Sequence, residues 1–121
     1  MLKTIDVEIM KELKALLKVL DDKKAEALKV LDLRGKSSVT DYMILATGTS
    51  NPHLRALSEQ LQDYLKKSGT RPIGFEKDTG TGWVVVDGFN IMIHLQTQEM
   101  RDYYRLDFLW KDAADITETI L

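Results

Sequence analysis

No cysteine occurs among the 121 residues. A disulfide framework, a thiolate zinc site and a cysteine nucleophile are therefore excluded. That absence suits a reducing cytoplasm, which is the expected compartment. No stretch approaches the ~20 consecutive apolar residues of a membrane span, so no membrane association is expected. The first residues, Met1 to Glu8, carry acids and no apolar run, so they read as neither a signal peptide nor an Arg-rich transit segment. Clustered positive charge is missing too. The net charge is −2, and from Arg71 to Leu121 five Lys or Arg stand against nine Asp or Glu, giving that half −4. Binding a nucleic-acid backbone relies on clustered cations that displace counterions. A macromolecular partner is thus expected to be met through protein, with little direct RNA contact.

With 44% apolar and 30% charged residues, the composition is that of a globular protein. The length fits one domain spanning 1–121, able to bury roughly two-thirds of its unfolded surface without metals or disulfides. No repeat or linker interrupts it. Met10, Leu13, Leu16, Leu17 and Leu20 recur at helical spacing and predict an amphipathic helix from about Thr4 to Leu20. Ala27 to Leu33 reads as a strand and Arg34 to Ser38 as a turn. The nearly continuous apolar run Asp41 to Thr47 suits a central strand buried on both faces. Gly48-Thr49-Ser50-Asn51-Pro52 follows, with Ser50 or Asn51 as helix cap and Pro52 in the first turn. Leu54, Leu57, Leu61, Tyr64 and Leu65 mark that helix, which Gly69 ends. Arg71 to Phe75 is a short strand and Glu76 to Gly82 a flexible loop. Trp83 to Asp87 and Ile91 to Leu95 are strands joined by a tight turn. A last helical region starts at Thr97 or Gln98 and ends near Ala114. The order αββαβββα predicts an α/β (α+β) fold with a single mixed β-sheet and packed helices.

Three features invite a chemical reading. The Thr47-Gly48-Thr49-Ser50 turn between strand and helix could seat a phosphate. Nucleotidyl transfer also needs an Asp-x-Asp pair on a following strand to hold magnesium. After Ser50 the next acids, Glu59 and Asp63, lie on a helix, and Asp87 stands alone on its strand. A structural cap therefore accounts for the turn better than a nucleotide site. The two histidines, His53 and His94, are too far apart for a zinc motif. Alternation puts Asn90, Met92 and His94 on one strand face and Ile91, Ile93 and Leu95 on the other. No nucleophile with a signature turn accompanies His94, so a hydrogen-bonded structural or interface role fits it better than catalysis. Finally, six of the nine aromatic residues fall between 83 and 110. On one continuous helix Tyr103, Leu106 and Trp110 would share one stripe, and Tyr104 and Phe108 another. Either one stripe fills the core and the other is partly exposed, or the cluster is a protein-binding surface built from hot-spot residue types. Trp110 is expected in the core, and Tyr104 with Arg101 at an interface.

Trp83-Val84-Val85-Val86-Asp87, Ile93-His94 and Arg101-x-Tyr103-Tyr104-x-Leu106-Asp107-x-Leu109-Trp110 resemble the C-terminal signature of the ribosomal silencing factors, the iojap-related family. Asp41 to Ser50 is similar to the family's upstream strand and turn, and the resemblance runs from about Leu16 to Asp112. It implies a nucleotidyltransferase-like fold lacking catalytic carboxylates, hence no enzyme, no cofactor and no metal. It implies binding to the large ribosomal subunit through large-subunit ribosomal protein fourteen, steric blocking of subunit association, and repression of translation when nutrients are limiting. It also implies a homodimer when free. The partner-binding role carries over to Trp83, His94, Arg101, Tyr103, Tyr104, Leu106 and Asp107, with the aromatics as anchors and Asp107 facing a basic partner. Three positions depart from the pattern: Lys77 replaces a usual Gly, Asp87-Gly88-Phe89-Asn90 replaces Asp-aromatic-Gly-Asp, and Asp107 replaces a usual Glu.

Overall fold

The protein, as a computed structural model, is described over residues 4–69, 74–75, 80–88 and 90–121, with backbone alone at 74–75. The leucine stripe of the N-terminal segment folds as α1, Val7–Asp22. It starts three residues later than the periodicity suggests, because the Asp6 carboxylate accepts the amides of Glu8 and Ile9 and so caps it there. Strand β1, Glu26–Asp32, leads to β2, Tyr42–Gly48. Every residue of β2 is buried, as its unbroken apolar run requires of a strand covered on both faces. Helix α2, Asn51–Lys67, is capped by the Ser50 hydroxyl, which accepts the His53 amide. The chain continues through β3 (Gly74–Phe75), β4 (Trp83–Asp87) and β5 (Ile91–Thr97). Residues 71–73 of the expected strand and 76–79 of the expected loop lie outside the described residues, as does Phe89 of the turn.

The expected final helix is broken in two, and two further short elements follow it. Helix α3, Gln98–Tyr104, stops at Arg105, whose φ of 49° is left-handed. A short α4, Leu106–Leu109, leaves at a new angle, followed by β6 (Ala114–Asp115) and α5 (Thr117–Ile120). The sheet runs β3-β4-β5-β2-β1-β6, with β2 and β5 parallel and the other neighbours antiparallel. This is one mixed sheet with packed helices, as the element pattern predicts.

Register decides what each face carries, because residues paired across the ladder share a face. Ile44 pairs with Ile93 and Val30, and Val86 and Val84 pair with Ile93 and Leu95. These residues meet Leu13, Leu16, Leu17 and Leu20 of α1 and Leu54, Leu57, Leu61 and Leu65 of α2 in the main core. Each leucine taken from water there contributes about 2 kcal/mol. Gly48 lets α2 approach this closely, since a Cβ in its place would lie 2.6 Å from Leu54 Cδ2. The opposite face is covered only in part. Leu31, Leu33, Met43 and Leu45 form a second, smaller cluster beneath Leu106, Trp110 and Ala113. The remainder of that face holds the polar and aromatic residues considered next.

Candidate functional site

Trp83, Val85 and Asp87 pair across the ladder with Gln96, His94 and Met92, so their side chains share the thinly covered face. The alternation seen in the sequence therefore holds: Ile93 and Leu95 enter the main core, while His94 faces the other way. His94 is nevertheless buried, at 8% exposure. The Trp83 indole N–H donates to His94 Nδ1 at 3.0 Å. That bond fixes the neutral tautomer with the proton on Nε2. Burial holds the imidazole down at about 4, so His94 is uncharged at neutral pH.

Tyr104 closes over Trp83 with ring centroids 4.7 Å apart, and Tyr103 meets Tyr104 edge-on at 5.0 Å. His94, Trp83, Tyr104 and Tyr103 thus form a continuous series of ring contacts running from the sheet outward. Exposure rises along it, to 49% at Tyr104 and 77% at Tyr103. The stripe expected from unbroken helical periodicity does not form. Tyr103 is separated from Leu106 and Trp110 by the left-handed turn at Arg105: Leu106 and Trp110 pack on the second core cluster while Tyr103 stands in solvent. Trp110 is core-directed, as expected. Phe108 and Leu109 are exposed as well, Phe108 lying under the cations of Arg105 and Lys111.

Arg101 is inside, at 9% exposure, unlike its neighbour Tyr104. Its guanidinium donates to the Ala27 carbonyl, to Thr47 Oγ1 at 2.9 Å and to Asp107 Oδ2 at 3.4 Å. Asp107 also takes Lys29 Nζ at 3.3 Å. Partial burial pushes the Asp107 carboxyl up, but the charges of Arg101 and Lys29 and its hydrogen bonds outweigh this and hold it below the usual range. Asp107, expected to look outward to a basic partner, meets two cations of its own chain. The carbonyl that receives Arg101 belongs to a β-bulge: β1 slips register against β2 between Glu26 and Lys29, and Ala27 adopts a φ of 50°. Lys29, Thr47 and Ala27 carry no signal in the sequence that ties them to this site, because their partners lie tens of residues away along the chain.

The Gly48–Ser50 turn is occupied by its own residues. The Thr49 amide donates to His53 Nδ1 at 2.9 Å, and His53 Nε2 in turn reaches the Lys23 carbonyl at 2.7 Å. With Ser50 Oγ accepting the His53 amide, the Thr49 and His53 amides of this turn are bonded within the fold, as a structural cap requires.

The family model described as "Ribosomal silencing factor during starvation" matches residues 6–120. A ribosomal silencing factor of Haemophilus influenzae is 37% identical over 95 residues, covering 78% of this chain and 93% of that protein. A more distant relative is the mouse protein named for mitochondrial assembly of the ribosomal large subunit, 31% identical over 78% of this chain and 43% of its own length. A crystal structure of a Chromobacterium violaceum protein superposes with a TM-score of 0.79 at 31% identity, covering 88% of each chain.

Proposed function

We propose that this chain, which belongs to the ribosomal silencing factor family, docks on the large ribosomal subunit through large-subunit ribosomal protein fourteen and keeps the small subunit from joining. The observation that carries the reading is the aromatic platform. Tyr103 and Tyr104 stand in water on a rigid base of Trp83 and His94, at the edge of a sheet face that the chain's own helices cover only in part. Exposed tyrosines on fixed supports lose little conformational freedom on binding and are favoured anchors. Trp83, His94, Arg101, Leu106 and Asp107 complete the partner-binding region, as supports beneath or beside the two tyrosines.

The mechanism needs no covalent chemistry. A 13.8 kDa body placed on the joining face is a steric block, and repression of translation follows from it. The acidic balance of the chain favours a protein contact over RNA. When free, the protein is expected in the cytoplasm as a homodimer.

Cosedimentation with isolated large subunits, small subunits and joined ribosomes tests this. Pelleting with large subunits alone is expected, together with fewer joined particles when both subunits are mixed with the protein. Binding should persist when salt is raised, as a phosphate-dominated contact would not. Equal pelleting with small subunits, or none with large ones, overturns the reading.

A further inference from the structure

We infer that Arg101 is a positioning residue that locks the aromatic platform to the sheet from inside, and not a residue that touches the partner. The inference rests on the docking reading above. Arg101 sits on α3, three residues before Tyr104, yet its guanidinium points away from Tyr103 and into the fold. It spends its donors on three different elements: the Ala27 carbonyl in the bulge of β1, the Thr47 hydroxyl on β2, and the Asp107 carboxylate on α4. With a side chain only 10% exposed, it has little surface left to offer another molecule.

The backbone at both ends of this tie is unusual in the same way. Ala27 and Arg105 are two of the three non-glycine residues with positive φ among the described residues. Such conformations persist where the surroundings over-determine them, and they gather at functional sites. At Ala27, the bulge turns the carbonyl out of the ladder and toward Arg101. At Arg105, whose amide donates to the Arg101 carbonyl at 3.0 Å, the left-handed turn ends α3 immediately after Tyr104 and sends α4 back so that Asp107 meets the same guanidinium. The side chain therefore holds α4 against β1 and β2, while the backbone carbonyl of the same residue receives the amide of the turn that ends α3. Together these ties set the orientation of the tyrosines over Trp83. Lys29 joins through Asp107 and ties the same point to β1 a second time. A lysine at position 101 could not reproduce this, because a single ammonium lacks the planar fork that reaches several acceptors at once.

The test compares Arg101→Met, Asp107→Asn, the double variant and Tyr104→Ala, each assayed for large-subunit binding and for backbone amide exchange. Arg101→Met is expected to lower affinity tenfold or more. Amide exchange should accelerate across 98–112 while β2 and α2 keep their protection. In the binding cycle the double variant should be no weaker than Arg101→Met alone, since both substitutions release the same tie. Losses that multiply would mean two independent partner contacts and would overturn the inference, as would an Arg101→Met protein that binds like the parent or keeps its α3–α4 protection. Should Arg101→Met fail to fold, Arg101→Lys decides by the same criteria, with an intermediate loss of affinity expected. Tyr104→Ala separates the two readings. If it binds normally, the docking surface itself is misplaced. If it binds poorly while Arg101→Met binds well, the surface stands and the lock falls.

Discussion

Acidification should destabilise this protein through His94 by an amount that can be isolated. The imidazole is neutral in the fold, with its titration held down at about 4 by burial, against about 6.5 in an unfolded chain. Between those values the unfolded chain binds a proton that the folded protein refuses. Stability therefore rises with pH across this window; the contribution is fully present above about 6.5 and is lost as pH falls toward 4. At ~1.4 kcal/mol for each pH unit of displacement, the total is about 3 kcal/mol. That is a large share of the 5–15 kcal/mol typical of a domain's total stability. Protonation has a structural cost as well: Nδ1 accepts the Trp83 indole N–H, and a protonated ring would set donor against donor. The assay is urea unfolding of the parent and of His94→Gln at several pH values from 7.5 to 4.5. Glutamine retains an acceptor and cannot titrate. The carboxylates and His53 are common to both proteins and cancel in the difference. The parent should lose stability faster on acidification, with the gap between the two proteins shifting by about 2–3 kcal/mol over the range. Parallel pH profiles would mean that His94 titrates as if exposed, and the account of a sealed base beneath Trp83 would be wrong.

Other outcomes follow from particular contacts. Tyr104→Ala should weaken large-subunit binding by about 1–2 kcal/mol, roughly five- to thirtyfold, with far-ultraviolet circular dichroism unchanged. Asp32→Ala removes a close pair in which the Arg34 guanidinium donates to both carboxylate oxygens, at 3.0 and 2.7 Å, with Asp32 buried. Because Arg34 also donates to the Thr4 carbonyl ahead of α1, unfolding free energy should fall by about 2–4 kcal/mol, measured by urea titration. Gly48→Ala should lower the melting temperature through a forced shift of Leu54, at a cost of about 1–3 kcal/mol, and unchanged stability would show that α2 has room to move.

The parts of the fold legible in the sequence are those governed by local periodicity. The apolar run of β2 announced a strand covered on both faces, the leucines of α1 and α2 announced their buried stripes, and alternation on β5 turned His94 away from Ile93 and Leu95. The C-terminal region resisted because its geometry is set by tertiary contacts. Nothing in Tyr104-Arg105-Leu106 marks a left-handed residue, since arginine is an ordinary helix former and no glycine or asparagine stands there. Once that turn is missed, the helical phase carries wrongly from Tyr103 to Trp110. Arg101 was legible as important but not as internal. Two of its three acceptors lie at Ala27 and Thr47, 74 and 54 residues away, and one of these is a backbone carbonyl released by a bulge. The β6 pairing, two residues long, is too short for any periodic signal.

The unequal covering of the sheet has a consequence for how the molecule comes apart. One face is sealed by two long helices through a continuous hydrocarbon interior, whereas the other is closed by short helices held through a few polar ties and a small apolar cluster. Local opening is cheapest where apolar contacts are few. Helices α3 and α4 should then form a separate cooperative unit that loosens while β2, β5, the long helices and α5, whose Ile120 lies in the main core, stay intact. A partner settling on the platform would hold this unit closed, so its amides would gain protection while those of the rest of the fold stay as they were.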